Sequence, residues 1–164
     1  MASHPHAALL DQIRRAFSDV PPPDAEHRTL RQAEAWDDYR IVDQARDHKG
    51  PWWDLPDAHI RECQNAIPHL DAQGIHYYLP ALMSHFVRSE PSSLWVHQSL
   101  LYFLQPSTGD LKDYQRGRMV LFTYPQRQAI LAFLQHIDAP EASLRPWLRV
   151  EQAGDVTDWF RHFY

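Results

Sequence analysis

The chain has 164 residues, one cysteine and a formal net charge of −5. These values fit a single domain in a reducing compartment, exclude an intrachain disulfide and disfavour direct binding to nucleic acid, whose phosphates repel an acidic surface. No apolar stretch approaches the ~20 residues of a membrane span, and the N-terminus lacks the apolar core of a secretory signal. We therefore predict a cytoplasmic protein without membrane association.

The first half of the chain predicts helices separated by stiff breaks. Apolar side chains at helical spacing indicate an amphipathic helix over residues 6–17, and three consecutive prolines follow at positions 21–23. A longer helix is predicted over residues 28–47, with Gly50 just beyond its end. In the adjacent Trp52-Trp53 loop, one indole is expected in the core and the other at the surface.

The second half predicts the main buried helices. Gly74 is expected to stop one helix, and residues 75–88 are expected to form the central one. Residues 94–104 are apolar on nearly every side, which is typical of a buried helix. Residues 118–122 would be a short strand or an extended lead-in, and a capping box that begins at Thr123 opens the next helix.

Together these elements predict a mainly α fold. It would be a single compact domain, residues 1–164, of about seven helices with at most a short β element. The N-terminal helix would span residues 6–17, the core residues 28–138 and a C-terminal appendage residues 139–164. Within the appendage, residues 155–164 would dock as an aromatic helix.

The acidic residues are concentrated in one quarter of the chain. Residues 19–62 hold eleven acidic and six basic residues, whereas the rest of the chain holds ten of each. In the predicted helix over residues 28–47, aromatic and acidic side chains share one arc, which is typical of a surface that attracts and anchors a basic partner. The alternatives are a solvated acidic face with no partner and aromatic side chains that face the core. The candidate partner-binding residues are Trp36, Asp37, Asp38, Tyr39, Asp43, Asp47 and Trp52.

Motifs that carry chemistry are absent from the sequence. The eleven histidines match neither the zincin spacing nor the Glu-x-x-His pair of di-iron bundles. His59 and Cys63 are four residues apart and can face each other on a helix, but no third catalytic group accompanies them. We predict no catalytic residue, no metal ligand and no cofactor. A metal site built from distant residues and a pocket near His76, Tyr77 and Tyr78 remain open.

Three blocks of sequence resemble a small bacterial family of unknown function. They are Trp52-Trp53-Asp54-Leu55, the block from Tyr77 to Met83, and a late helix opened by Thr123, Gln126 and Arg127. The resemblance covers about residues 8–138. It implies no catalytic residues. Small acidic cytoplasmic proteins of this general type often occur as immunity proteins beside toxins, which is an analogy at the level of class.

The resulting hypothesis is a non-enzymatic binding protein, most concretely a bacterial immunity protein. Its acidic residues 24–62 would occlude the basic active-site cleft of a cytoplasm-acting toxin. Asp37, Asp38, Asp43 and Asp47 would pair with basic residues of the toxin, and Trp36, Tyr39 and Trp52 would anchor the interface. The alternatives are a small enzyme or ligand-binding protein with a pocket near Tyr77 and Tyr78, and a self-associating structural protein.

Overall fold

The computed structural model describes residues 5–40, 42, 44–89 and 94–148. Within these ranges the chain forms eight α-helices and no strand, which confirms the predicted mainly α fold. The helices are α1 Pro5–Ala16, α2 Leu30–Asp37, α3 Asp57–Glu62, α4 Ala72–Arg88, α5 Trp95–Phe103, α6 Leu111–Met119, α7 Tyr124–His136 and α8 Glu141–Leu148. Short 3-10 helices span Gln44–Arg46, Trp52–Asp54 and Ile67–His69.

The helices divide between two compact units. The first unit contains α1, α6, α7 and α8, and the second contains α2 to α5. The assignment of the whole chain to one domain stays a prediction. The candidate binding residues all belong to the second unit.

The first unit is built around α7, which packs against α1 and α8. The predicted capping box is confirmed, because the Thr123 hydroxyl accepts from the backbone of Gln126 and the Gln126 side chain accepts from the Thr123 N–H at 3.0 Å. Trp147 is fully buried, and its indole N–H donates to the Leu104 carbonyl at 3.0 Å. The large indole is thus buried with its polar N–H group hydrogen-bonded.

The second unit is organised by α4, whose side chains are mostly buried. It packs against α5 and against the 3-10 helix Trp52–Asp54. The Tyr77 hydroxyl donates to the Gly50 carbonyl at 2.6 Å, which attaches the preceding loop to the helix. Pro80 lies in the interior of α4, because this helix begins at Ala72, three residues before the predicted start at residue 75.

The prediction of one helix over residues 28–47 is wrong. The helix α2 begins at Leu30 and ends at Asp37. Tyr39 then adopts a left-handed backbone with φ of 54°, which a continuous helix cannot contain. The arc of aromatic and acidic residues inferred from helical spacing therefore does not exist beyond Asp37.

Three further predictions differ from the structure. Gly74 lies in the first turn of α4 and does not stop a helix. The helix α5 buries only one side against its neighbours, so Trp95 and Tyr102 are exposed. Residues 118–122 complete α6 and the turn after it. The helix predicted over residues 155–164 lies outside the described residues.

Replacing Gly74 with alanine should destabilise the fold. An added Cβ would lie 2.9 Å from the Arg28 carbonyl oxygen, which is backbone and cannot move aside cheaply. We expect Gly74→Ala to lower the free energy of unfolding by about 1–3 kcal/mol, measured by urea denaturation.

The matched control is Gly117→Ala in α6, where an added Cβ meets no atom within 4 Å. Alanine loses less backbone entropy than glycine on folding, so this substitution should raise the free energy of unfolding by about 0.5–1 kcal/mol. Equal stability of Gly74→Ala and the natural protein would contradict the tight contact.

Candidate functional site

Five of the seven predicted binding residues have described side chains, and these form two groups. Trp36, Asp38 and Tyr39 are exposed at the end of α2, with Trp36 57% and Tyr39 96% accessible. Asp47 and Trp52 are buried. Asp43 lies outside the described residues, and the side chain of Asp37 is also outside them. We call the exposed group, together with Arg40, the Trp36–Tyr39 surface.

The turn that ends α2 has the hydrogen bonds of a Schellman motif. The Arg40 N–H donates to the Ala35 carbonyl at 3.1 Å, and the Tyr39 N–H donates to the Trp36 carbonyl at 3.3 Å. This motif requires a left-handed residue at the position of Tyr39, where glycine is usual because a side chain is strained there. Tyr39 therefore has a strained backbone conformation, and its side chain is almost fully exposed, so no burial of the ring offsets the strain.

Trp36 is held from one side by Arg28. The Arg28 guanidinium lies 3.8 Å from the centre of the indole ring, a cation–π contact. Arg28 is itself fixed, because its Nη1 donates to the His69 carbonyl at 2.7 Å. The exposed indole is thus supported by a side chain that is bonded to the body of the second unit.

Asp71 connects this support to the central helix. Its Oδ1 accepts from the Gly74 N–H at 2.8 Å and so caps α4, while its Oδ2 accepts from the Arg28 N–H at 3.0 Å. His27 Nδ1 lies 3.3 Å from the same Oδ2. Burial alone would raise the pKa of Asp71, but the backbone hydrogen bonds from Gly74 and Arg28, together with the hydrogen bond and charge of His27, lower it.

A groove of about 600 Å³ borders the Trp36–Tyr39 surface. Its size falls within the range of ligand and peptide pockets. Both exposed aromatic residues line it, so an occupant of the groove would contact both rings. The lining residues are Ala25, Glu26, His27, Arg28, Gln32, Trp36, Tyr39, Arg40 and Val42.

Several of the acidic residues in the segment 19–62 form ion pairs or hydrogen bonds within the chain. Among the described residues, three arginines pair with carboxylates of residues 19–62, and Glu34 accepts from the Asn65 backbone N–H at 2.7 Å. The ion pairs are Arg40–Asp38 at 2.6 Å, Arg31–Glu62 at 2.7 Å and Arg88–Asp57 at 2.9 Å. Part of the acidic excess therefore serves the fold itself, and the exposed Arg40–Asp38 pair stabilises it little.

The tyrosines of the suspected pocket belong to the core. Tyr77 and Tyr78 are 0% and 1% accessible, and their rings meet edge to face. Burial raises the pKa of Tyr77 to about 12 and raises the pKa of Tyr78 as well. Both hydroxyls stay protonated at neutral pH, and neither side chain is open to solvent.

Cys63 and His59 do not form an activated pair. Burial raises the pKa of the Cys63 thiol to about 12. Burial, reinforced by the charge of Arg31, lowers the pKa of His59 to about 4. At neutral pH the thiol is protonated and the imidazole is neutral, so a thiolate nucleophile is not available here.

A buried histidine pair lies between α4 and α5. His85 Nδ1 is 2.9 Å from His97 Nε2, and burial lowers the pKa of both, that of His97 to about 4. In the described ranges no group of three or more His, Cys, Asp or Glu side chains could hold a metal ion. No helix in the same part of the chain is long and apolar enough to cross a membrane.

Comparison with known proteins gives one match. A family of unknown function (DUF6714) matches residues 6–160. The chain belongs to this family. Membership agrees with the resemblance to an uncharacterised family that the three sequence blocks indicated, and it assigns no activity. Neither the curated proteins nor the solved structures gave a similar protein.

Sequence reasoning missed the two residues that support the surface, Arg28 and Asp71. An aspartate three residues before Gly74 is a possible helix N-cap, so the capping role of Asp71 had a local signal. Its bond to Arg28 joins residues 43 positions apart and left no local signal.

The left-handed backbone at Tyr39 is expected to lower the stability of the fold. Relief of the left-handed strain in Tyr39→Gly should raise the free energy of unfolding by about 1 kcal/mol. The measurement is chemical denaturation followed by circular dichroism.

The control is Val120→Gly at the end of α6, where φ is −61° and the side chain is also exposed. Glycine should destabilise that position. A loss of stability in Tyr39→Gly would contradict the strain.

Proposed function

We propose that this protein is a non-enzymatic protein-binding module that contacts its partner through the Trp36–Tyr39 surface. The observation that carries the proposal is Tyr39, which is 96% exposed although its backbone is held at a positive φ. A residue that lowers the stability of the free protein without burying its side chain is expected to contribute binding energy in a complex.

The chemistry of the surface fits a protein partner. Tryptophan, tyrosine and arginine are the residue types that contribute most to binding energy at interfaces. Trp36 is supported by Arg28, so little side-chain freedom would be lost when a partner covers it. The groove beside the two rings gives room for a side chain of the partner.

In its most concrete form, the proposal is that the protein is a bacterial immunity protein acting in the cytoplasm. It would occlude a basic cleft of a toxin. The acidic excess of residues 19–62 supports this form, because it would attract a basic partner. Asp38 can exchange its exposed ion pair with Arg40 for a basic residue of the toxin at little cost.

Two of the binding residues predicted from the sequence do not belong to the proposed contact surface. Asp47 and Trp52 are buried, so neither presents its side chain to a partner. Asp47 Oδ1 lies 4.0 Å from His59 Nε2 inside the second unit. Charge reversal at Asp47 would disturb this interior and would be a poor test of binding.

The test is an affinity capture from the source organism's lysate with the full chain as bait. The comparison variant is Trp36→Ala/Tyr39→Ala. The matched control is Trp95→Ala/Tyr102→Ala on α5, which also removes an exposed tryptophan, 56% accessible, and an exposed tyrosine. Affinity for the captured partner is then measured with purified proteins by calorimetry.

We expect Trp36→Ala/Tyr39→Ala to weaken binding by at least about 30-fold, the effect of losing one hot-spot residue, and the control to bind normally. Equal binding by the natural protein and the Trp36→Ala/Tyr39→Ala variant would overturn the proposed surface. Recovery of no protein other than a second copy of the chain would replace the proposal with self-association.

A further inference from the structure

A second concave site adjoins the groove and shares Arg40 and Val42 with it. This arginine cleft has a volume of about 250 Å³. Three of its lining residues are arginines from separate segments: Arg31 in α2, Arg40 after that helix, and Arg46 in the 3-10 helix Gln44–Arg46. The acidic quarter of the chain thus contains a local concentration of guanidinium groups.

The two carboxylates in the lining of the cleft already have partners. Glu62 accepts from Arg31 at 2.7 Å, and Glu34 accepts from the backbone and side-chain nitrogens of Asn65 at 2.7 and 3.1 Å. Among the described residues, Arg46 has neither an ion pair nor a hydrogen bond through its side chain. Arg40 pairs with Asp38, whose carboxylate lies outside the lining, so Arg46 is the lining arginine that has no carboxylate partner among the described residues.

Two of these arginines lower the pKa of neighbouring groups. The hydrogen bond and charge of Arg31, with a further contribution from Arg46, lower the pKa of Glu62. Burial lowers the pKa of His59, and the same two arginines add to this effect against the opposing charge of Glu62. A partly enclosed site focuses the field of its charges, so a guanidinium without a carboxylate partner attracts an anion there.

We propose that the arginine cleft is a binding site for a single carboxylate group. A guanidinium presents a planar fork of N–H donors that matches a carboxylate, and Arg40 and Arg46 are the two forks least committed to the fold. Ala35 and Val42 supply apolar contact for the carbon atoms next to that group.

Size and charge define the class of ligand. The cleft is smaller than pockets for drug-sized ligands, which span roughly 300–1,000 Å³, so it suits a short-chain acid or one acidic side chain. The guanidinium of Arg46, which has no carboxylate partner among the described residues, matches a monoanion. A phosphate dianion would be repelled by Glu34 and Glu62, which lie in the same lining.

The test is an NMR titration of the full-length protein labelled with ¹⁵N, observing the arginine Nε–H signals. The probes are sodium butyrate, N-acetylglutamate N-methylamide and sodium phosphate, with the ionic strength held constant by sodium chloride. We expect saturable shifts at Arg40 and Arg46 with both monocarboxylates. Arg46→Gln should weaken this binding at least tenfold, and Arg40→Gln should weaken it in the same direction.

The control is Arg61→Gln, an exposed arginine of α3 that does not line the cleft, and it should bind like the natural protein. Tighter binding of butyrate would assign the cleft to a free acid, and tighter binding of the glutamate derivative to an acidic side chain of a polypeptide. Three results would overturn the proposal: no saturable shift beyond that of sodium chloride, unchanged affinity in Arg46→Gln, or tighter binding of phosphate than of either carboxylate.

Discussion

Asp71 is the residue on which the second unit depends. One carboxylate caps the first turn of α4 through Gly74 and holds the backbone of Arg28, 43 residues earlier in the chain. Gly74 is required at this junction because the Arg28 carbonyl would lie 2.9 Å from any Cβ. The junction therefore positions the segment that leads into α2 directly against the start of the central helix.

The proposed binding surface follows from this junction. Arg28, fixed by Asp71 and by the His69 carbonyl, stacks on Trp36 and leaves the other face of the indole exposed. The Schellman turn then places Tyr39 beside it at an energetic cost. The contact with Arg28 and the strained turn thus place two aromatic rings at a solvent-exposed edge, and the first of them is supported from one side.

Local signals predicted the parts of the fold that local physics determines. The helix α1 and the capping box at Thr123 follow from spacing and from side-chain hydrogen bonds within one turn. The end of α2 was missed because its left-handed residue is Tyr39 and not glycine, so the composition gave no sign of a stop. Extension of that helix by periodicity alone placed Asp47 on a surface, whereas the contacts of the second unit bury it.

Hydrogen exchange in Asp71→Ala tests the central claim most directly. The Arg28 and Gly74 amides should both exchange faster in this variant, and the indole signal of Trp36 should shift with them, because one carboxylate holds both segments. Asp110→Ala is the matched control, since Asp110 precedes α6 without a capping hydrogen bond from its side chain. Faster exchange at Gly74 with Arg28 and Trp36 unchanged would contradict the account, because the surface would then be held independently of Asp71.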